Sequence, residues 1–384
     1  MLTAGAIDER VACGERFFAA EADRIAQLCH RMAERFARGG RLIAFGSSAG
    51  QSDARHVAVE FAHPVIVGKR ALPALAVPCN HVGLMVRTGD VAMAFGEGPE
   101  VSEAVRAATA VGCETVGFAP VGADWEFVVP TADPFLAQEQ AETAYHVLWE
   151  LVHVFFDHRG LLAGRQDRTR HDTGASAFLY PFLAEAQDDL DTVLADVAES
   201  ALAKAAEAGA LRAQTLTEGR ATLEAAASAL ARCLDTGGKV LALGNGGSAT
   251  DAMDAVADLR DPPAGLPSRP ALDLSEDPSI ITAIANDVGV EAIFSRQVIA
   301  YGQPGDALIS FSTSGNSGNV IAALAEARRQ GLVTIALVGY DGGRVLDERL
   351  ADHVVVTRSE HIPRIQEAQG SAWHVLRELI EEQR

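Results

Sequence analysis

Long apolar runs are missing from this chain of 384 residues. The longest, such as 239–244 (KVLALG) and 333–339 (VTIALVG), are strand-sized and far short of the roughly 20 residues that cross a bilayer. No membrane partner is expected. Residues 1–18 lack a basic stretch followed by an apolar one, so no signal peptide is read there and a cytoplasmic location is expected. Cysteine is sparse. The five (Cys13, Cys29, Cys79, Cys113, Cys233) are scattered without a C-x-x-C pair, which excludes a disulfide frame and a thiolate zinc site. Basic residues are in deficit: 32 Lys and Arg against 52 Asp and Glu give a net charge of −20. That excludes general nucleic-acid binding, which needs a basic footprint. It leaves room for a small anion, because a local loop can hold a phosphate against the overall field. With 48% apolar and 22% charged residues, the composition is that of folded domains.

What is present is a repeat. Residues 39–48 (GGRLIAFGSS) and 237–248 (GGKVLALGNGGS) each place a short apolar run between glycines, as a buried parallel strand feeding a tight loop would. Helical patterns precede them at 20–36 and 217–234. The later segments match as well: 88–95 (TGDVAMAF) with 304–311 (PGDALISF), 113–118 (CETVGF) with 332–337 (LVTIAL), and 126–130 (EFVVP) with 353–357 (HVVVT). Strands alternating with helices predict βαβ units and a parallel sheet covered on both faces. Long amphipathic helices are expected at 134–156 and 363–382. The predicted organisation is one α/β domain at 1–160, a polar linker at 161–180, and a second α/β domain at 181–384, opening with an Ala- and acid-rich helical stretch.

The sharpest motif is 312–320 (STSGNSGNV), between the strand at 307–311 and the helical run at 321–330. Glycine lets the backbone turn tightly, and the hydroxyls then converge with the N–H groups of a helix start. That geometry binds phosphate without a lysine. A second Gly-rich loop, 244–248 (GNGGS), follows another strand at the same end of the expected sheet, where open α/β sheets bind ligands.

These segments, with 284–289 (IANDVG), 293–297 (IFSRQ) and 364–369 (RIQEAQ), resemble phosphoheptose isomerases of the SIS superfamily. The resemblance spans about 237–382, and 39–156 resembles the same family more weakly. It implies two tandem SIS domains, each a three-layer αβα sandwich with a mostly parallel, five-stranded, flavodoxin-like sheet. It also implies a ketose–aldose isomerase acting on a sugar phosphate, sedoheptulose 7-phosphate above all, with a divalent metal of the zinc type. Because the family forms tetramers, two fused domains imply a homodimer that imitates one. The residues it assigns to substrate and phosphate are Asn245, Gly246, Ser248, Asn286, Asp287, Ser312, Thr313, Ser314, Ser317 and Gln366.

The family pattern also places His-x-x-x-Glu on the helix after the first loop and Gln-x7-His on the last helix. The first half keeps all four residues, His56, Glu60, Gln138 and His146, and the spacings put each pair on one helix face. Two imidazoles, a carboxylate and an amide oxygen are a metal-ligand set. The second half keeps Gln366 and His374 but has Asp254 and Asp258 where the pattern has His and Glu. Conversely, the first half reads FGEGPEV at 95–101 in place of the phosphate loop, and Glu97 and Glu100 would repel phosphate. One site, two sites or a composite of both halves are all compatible with this complementarity. By resemblance, Glu60 or Asp258 is the base and His146 or His374 the acid of the isomerisation. The competing expectation is a phosphosugar-binding regulator, or a replication-initiator-associating relative, that keeps the loop without the chemistry.

Overall fold

The computed structural model describes residues 1–47, 50–65, 69–158, 161–162 and 189–382. The expected linker beyond Leu162, the start of the helical stretch at 181–188, and Ser48 and Ala49 of the first loop lie outside the described residues. The chain divides into two compact units, an N-terminal one of Ala12–Glu207 and a C-terminal one of Met1–Val11 with Ala208–Arg384.

In chain order the first part runs α1 (Ala4–Ala37), β1 (Leu42–Gly46), α2 (Gln51–Ala62), β2 (Ala74–Ala76), α3 (Val82–Met85), β3 (Val91–Phe95), α4 (Pro99–Val111), β4 (Glu114–Gly117), β5 (Trp125–Glu126), α5 (Pro134–Val152) and α6 (Val154–Asp157). The second runs α7 (Leu190–Asp235), β6 (Val240–Leu243), α8 (Gly247–Arg260), β7 (Ala271–Asp273), α9 (Pro278–Asp287), α10 (Ser295–Tyr301), β8 (Ala307–Ser312), α11 (Gly318–Gln330), β9 (Val333–Val338), α12 (Gly343–Asp347), β10 (His353–Val356) and α13 (Ile362–Glu382).

Each unit is built on a five-stranded sheet, ordered β2-β1-β3-β4-β5 and β7-β6-β8-β9-β10, and every pairing is parallel. This is one strand order used twice, with the reversal next to the first strand that gives open α/β sheets their binding crevice. Successive strand residues serve opposite faces. Leu42, Ala44, Val91 and Met93 pack in one core, while Ile43, Phe45, Ala92 and Ala94 pack in another. Val240, Ala242 and Ile309 likewise part from Leu241, Leu243 and Leu308.

The repeated Gly-Asp pairs have a structural reason. Asp90 accepts from the Arg41 backbone N–H at 2.9 Å and from its guanidinium at 2.6 Å. Asp306 accepts from the Lys239 backbone N–H at 2.9 Å and from its ammonium at 2.5 Å. Each aspartate thus fixes the start of the next strand to its neighbour. Thr115 with Asp124, and Thr334 with Asp352, form a second matched pair, each threonine donating from both backbone N–H and hydroxyl.

The helix expected at 134–156 is interrupted. The His153 ring nitrogen Nδ1 contacts the Trp149 carbonyl at 2.8 Å, the group a continuing helix would bond through its own N–H, and the chain restarts as the short α6. Among the described residues, no helix is long and apolar enough to cross a membrane.

Candidate active site

In the C-terminal unit, β6 and β8 end side by side and each feeds a glycine-dependent turn into a helix. Gly244 has no room for a side chain, since a Cβ there would collide with the Ser248 carbonyl. Gly315 adopts φ +62°, a left-handed conformation that glycine takes without strain. Ser312 is buried and its hydroxyl accepts from the Gly315 N–H at 3.1 Å. Thr313, Ser314 and Ser317 are half-buried, and Ser317 caps α11 by position without a side-chain bond. Asn316 bridges onward, accepting from the Arg344 N–H at 3.0 Å.

A reciprocal amide pair ties the two loops together. Asn245 Nδ2 donates to Asn319 Oδ1 at 3.0 Å, and Asn319 Nδ2 donates back to Asn245 Oδ1 at 2.9 Å. The first turn of α8, with buried Ser248, and the start of α11 therefore form one hydroxyl- and N–H-rich surface. Gly246 adopts φ +57° immediately before α8. Asn286 and Asp287 are exposed at the end of α9, where Asn286 Nδ2 donates to Asp287 Oδ1 at 2.7 Å. Sequence reasoning passed over Asn319, although it stands within the phosphate-loop motif.

Helix α8 runs on from Ser248 to Asp254 and Asp258, and α13 brings His374 beside them. His374 Nε2 lies 3.7 Å from Asp254 Oδ2 and 3.7 Å from Asp258 Oδ2. Asp258 is buried and accepts from the Trp373 indole N–H at 2.8 Å. Burial and the neighbouring Asp254 carboxylate raise the Asp258 carboxyl to about 7, against the opposing effect of His374 and the Trp373 bond. Gln366 is buried on the same helix as His374, and Gln369 Nε2 donates to the Ser312 carbonyl at 3.3 Å, linking α13 to the phosphate-type loop. The loop, two carboxylates and an imidazole thus belong to one unit.

The N-terminal unit assembles the corresponding side chains from α2 and α5. His56 and His146 are buried with their Nε2 atoms 3.4 Å apart, and Glu60 Oε1 is 3.9 Å from His56 Nε2. Glu60 Oε2 is buried without a hydrogen-bond partner. Burial, with a contribution from Glu150, raises the Glu60 carboxyl to about 7, while burial and His146 push His56 well below the usual histidine range. Tyr145 hydroxyl and His56 Nδ1 share a 3.0 Å hydrogen bond. Gln138 is half-buried and donates from Nε2 to Asp53 Oδ2 at 3.3 Å.

The ligand atoms of His56, Glu60 and His146 lie within 4.8 Å of one another, as do those of Asp254, Asp258 and His374. A tetrahedral ion with bonds of about 2.05 Å has ligand edges of about 3.3 Å, close to the 3.4 Å between the facing imidazole nitrogens. With the orphaned Glu60 oxygen, the first set fits a zinc-type ion.

The first unit's counterpart of the phosphate loop differs as its sequence suggests. Gly98 caps α4, and the carboxylate of Glu100, in the first turn, folds over that glycine. An internal anion there opposes an external one.

Residues 205–339 match the SIS domain family. Phosphoheptose isomerase from Chlorobaculum parvum is 46% identical over 163 residues, which cover 41% of this chain and 77% of that protein. The chain belongs to the phosphoheptose isomerase family. The enzyme of the same name from Trichlorobacter lovleyi is 49% identical over 150 residues, covering 38% of this chain and 74% of that protein. Sequence kinship to phosphoheptose isomerases thus spans less than half of the chain, while its fold is matched nearly throughout. The C-terminal domain of glucosamine-fructose-6-phosphate aminotransferase from Francisella tularensis covers 97% of this chain and 93% of its own, with a TM-score of 0.59 at 11% identity, a likeness of fold alone. Within the phosphoheptose isomerase family this chain is a sugar-phosphate isomerase built as a tandem of two SIS folds.

Sequence reasoning also missed Trp373 and Tyr145, each of which stands one residue before a site histidine and bonds into the set. The signal was available: position i−1 to His146 and to His374 carries a polar-tipped aromatic in both halves.

Proposed function

We propose that the chain converts sedoheptulose 7-phosphate to a D-glycero-heptose 7-phosphate in its C-terminal unit. The observation that carries this reading is the pair of loops locked by Asn245 and Asn319, on the unit that also holds Asp254, Asp258 and His374. Ser312, Thr313, Ser314 and Ser317, with Gly246 and Ser248, grip the phosphate. Held remotely from the reacting carbons, it supplies binding energy for orientation. Asn286 and Asp287 are assigned to the sugar's hydroxyls.

Asp258 takes the proton from the hydroxyl-bearing carbon next to the ketone, and His374 delivers a proton to the carbonyl oxygen, giving the enediol. Return of a proton to the neighbouring carbon, with loss of one from the other oxygen, yields the aldose. A divalent metal, zinc in the first instance, would be held by His56, Glu60 and His146, with Gln138 at hand, and in the C-terminal unit by Asp254 and Gln366, which leaves Asp258 and His374 to move protons. When bound it supplies polarisation of the sugar's oxygens. Glu60 and His146 hold the base and acid positions of the N-terminal unit. The same reading places the protein in the cytoplasm as a homodimer with four SIS folds. None of the residues of α9 (PSIITAIAND) is buried, and the following Val288 and Val290 are 61% and 62% exposed, an apolar surface suited to a second copy.

The test is turnover of sedoheptulose 7-phosphate by the purified protein, with added zinc and with chelator. Metal-dependent aldoheptose formation is expected, and no turnover under either condition refutes the assignment. A monomer by light scattering refutes the dimer.

A further inference from the structure

The N-terminal unit carries a cavity of about 590 Å³ that the proposed chemistry does not use. Its walls come from the end of α1 and from the turns entering β1, β3 and β4, so it opens at the starts of the parallel strands, the end of the sheet opposite the ligand-binding crevice. Four arginines line it, Arg31, Arg35, Arg38 and Arg87, and three carboxylates face them: Glu34 in the lining, Glu114 beneath Arg31 and Arg35, and Asp90, whose Oδ1 is 3.6 Å from Arg87 Nε. Four arginines against three carboxylates leave a local cationic surplus in a chain of net charge −20.

Two of the guanidinium groups are fixed. Arg31 donates to both Glu114 oxygens at 2.6 and 2.7 Å, and Arg35 donates to Oε2 at 2.9 Å. Burial disfavours ionising Glu114, but bonds from Arg31, Trp125 and Arg35 outweigh it and hold the carboxyl down at about 2. With bonds from Arg31, Arg35 and Trp125 on its two oxygens, Glu114 holds the two guanidinium groups beneath the cleft.

The arginines also cap helix ends, which is an ordinary reason for them to be there. Arg35 Nη1 reaches the Gly112 carbonyl at 3.3 Å, and Arg87 Nη2 reaches the Gly39 carbonyl at 3.3 Å. Capping does not use up the donors. Among the described residues the Arg38 guanidinium bonds only through Nη2, to Glu34 at 3.2 Å, and its side chain is 57% exposed; that of Arg87, with Nε 3.6 Å from Asp90 Oδ1, is 61% exposed. Glycines 39 and 89, which line the same cleft, leave open space where side chains would stand.

We propose that this cleft binds a compact, multiply charged phosphorylated anion, a diphosphate or a bisphosphorylated small molecule. Fork-shaped guanidinium groups suit phosphate oxygens, and several of them around one cavity suit two phosphoryl groups better than one. The volume is that of a small-molecule site, while nucleic acid needs an extended basic surface. Among the described residues no aromatic side chain lines the cleft, so a nucleobase has nothing there to stack on.

The test uses the full-length protein and isothermal titration with pyrophosphate. Wild type is compared with Arg38→Ala/Arg87→Ala, which leaves the Glu114 cluster intact, and with Thr313→Ala/Ser317→Ala in the C-terminal loop. The expected result is a pyrophosphate-binding event weakened at least tenfold in the arginine variant and retained in the loop variant. Inorganic phosphate should bind there at least tenfold more weakly than pyrophosphate, and ADP no more tightly. The same Tm for the arginine variant and wild type secures its folding. Pyrophosphate binding to the arginine variant with wild-type stoichiometry and affinity within twofold overturns the proposal, leaving the arginines as helix caps.

Discussion

Replacing Tyr145 by phenylalanine tests the first histidine–glutamate set without touching any of its ligand atoms. The hydroxyl shares a 3.0 Å hydrogen bond with His56 Nδ1 and the ring packs against both site histidines, at centroid distances of 5.5 Å for His56 and 4.9 Å for His146. An imidazole that binds a metal through Nε2 carries its proton on Nδ1, and that proton needs an acceptor. With an ion on Nε2, the Tyr145 hydroxyl at 3.0 Å would accept that proton, ahead of Glu142 at 4.0 Å, and so would favour the tautomer that aims Nε2 toward His146. Phenylalanine keeps the packing and removes the acceptor. Outer partners of this kind are worth about 10- to 100-fold in metal affinity, or about 1.4 to 2.7 kcal/mol. The assay is competition for zinc against a chromophoric chelator, with metal content of the purified protein as a second readout. Zinc affinity of the Tyr145→Phe protein within threefold of wild type, with wild-type metal content, would mean that this set does not hold the ion through His56.

Glu114→Gln should destabilise the fold by about 2 kcal/mol at neutral pH. A carboxyl ionising at about 2 rather than 4.5 contributes at most about 3 kcal/mol, and partial exposure of Arg31 reduces that. Because the folded value is depressed, the contribution is present above the ordinary glutamate value and is lost as pH falls toward 2. Urea unfolding of wild type between pH 5 and 2 should therefore show an acid loss that the variant lacks, and parallel curves contradict the assignment. Asp258→Asn should lower kcat by at least about 100-fold with little change in KM, the size of a lost general base, and a kcat within threefold of wild type rules it out. Asn319→Ala removes both bonds of the loop-locking pair, which at about 1 kcal/mol each should raise KM for the sugar phosphate and cost about 1–2 kcal/mol of stability. An unchanged KM would show that the loops hold their positions without it.

The fold was legible because its signals are local and occur twice. Gly-bounded apolar runs of strand length, and a Gly-Asp pair before β3 and again before β8, read directly as one βαβ arrangement repeated. The edge strands β2 and β7 were not legible. Each has three residues after a proline, Pro73 and Pro270, too few for any period to emerge, and pairing with the neighbouring strand creates them. The break at His153 was hidden for a related reason, since it depends on a side chain competing for the Trp149 carbonyl inside an otherwise unbroken helical pattern.

The site divides along the same line. Helical spacing reads placement: residues four apart share a face whatever their chemistry. His56 with Glu60 and Asp254 with Asp258 accordingly reach a histidine eight residues beyond a glutamine in both units. Spacing does not read how the shorter aspartates are held. In the C-terminal unit the Trp373 indole bonds to Asp258, the counterpart of Glu60, whereas in the N-terminal unit Tyr145 bonds to His56, the counterpart of Asp254. One helix position thus supports a different member of the set in each unit, according to which member needs a partner. A carboxylate-rich set with one imidazole and a set with two imidazoles stand on the same arrangement of helices, so the scaffold is common to the two units while the side-chain chemistry at its corresponding positions differs.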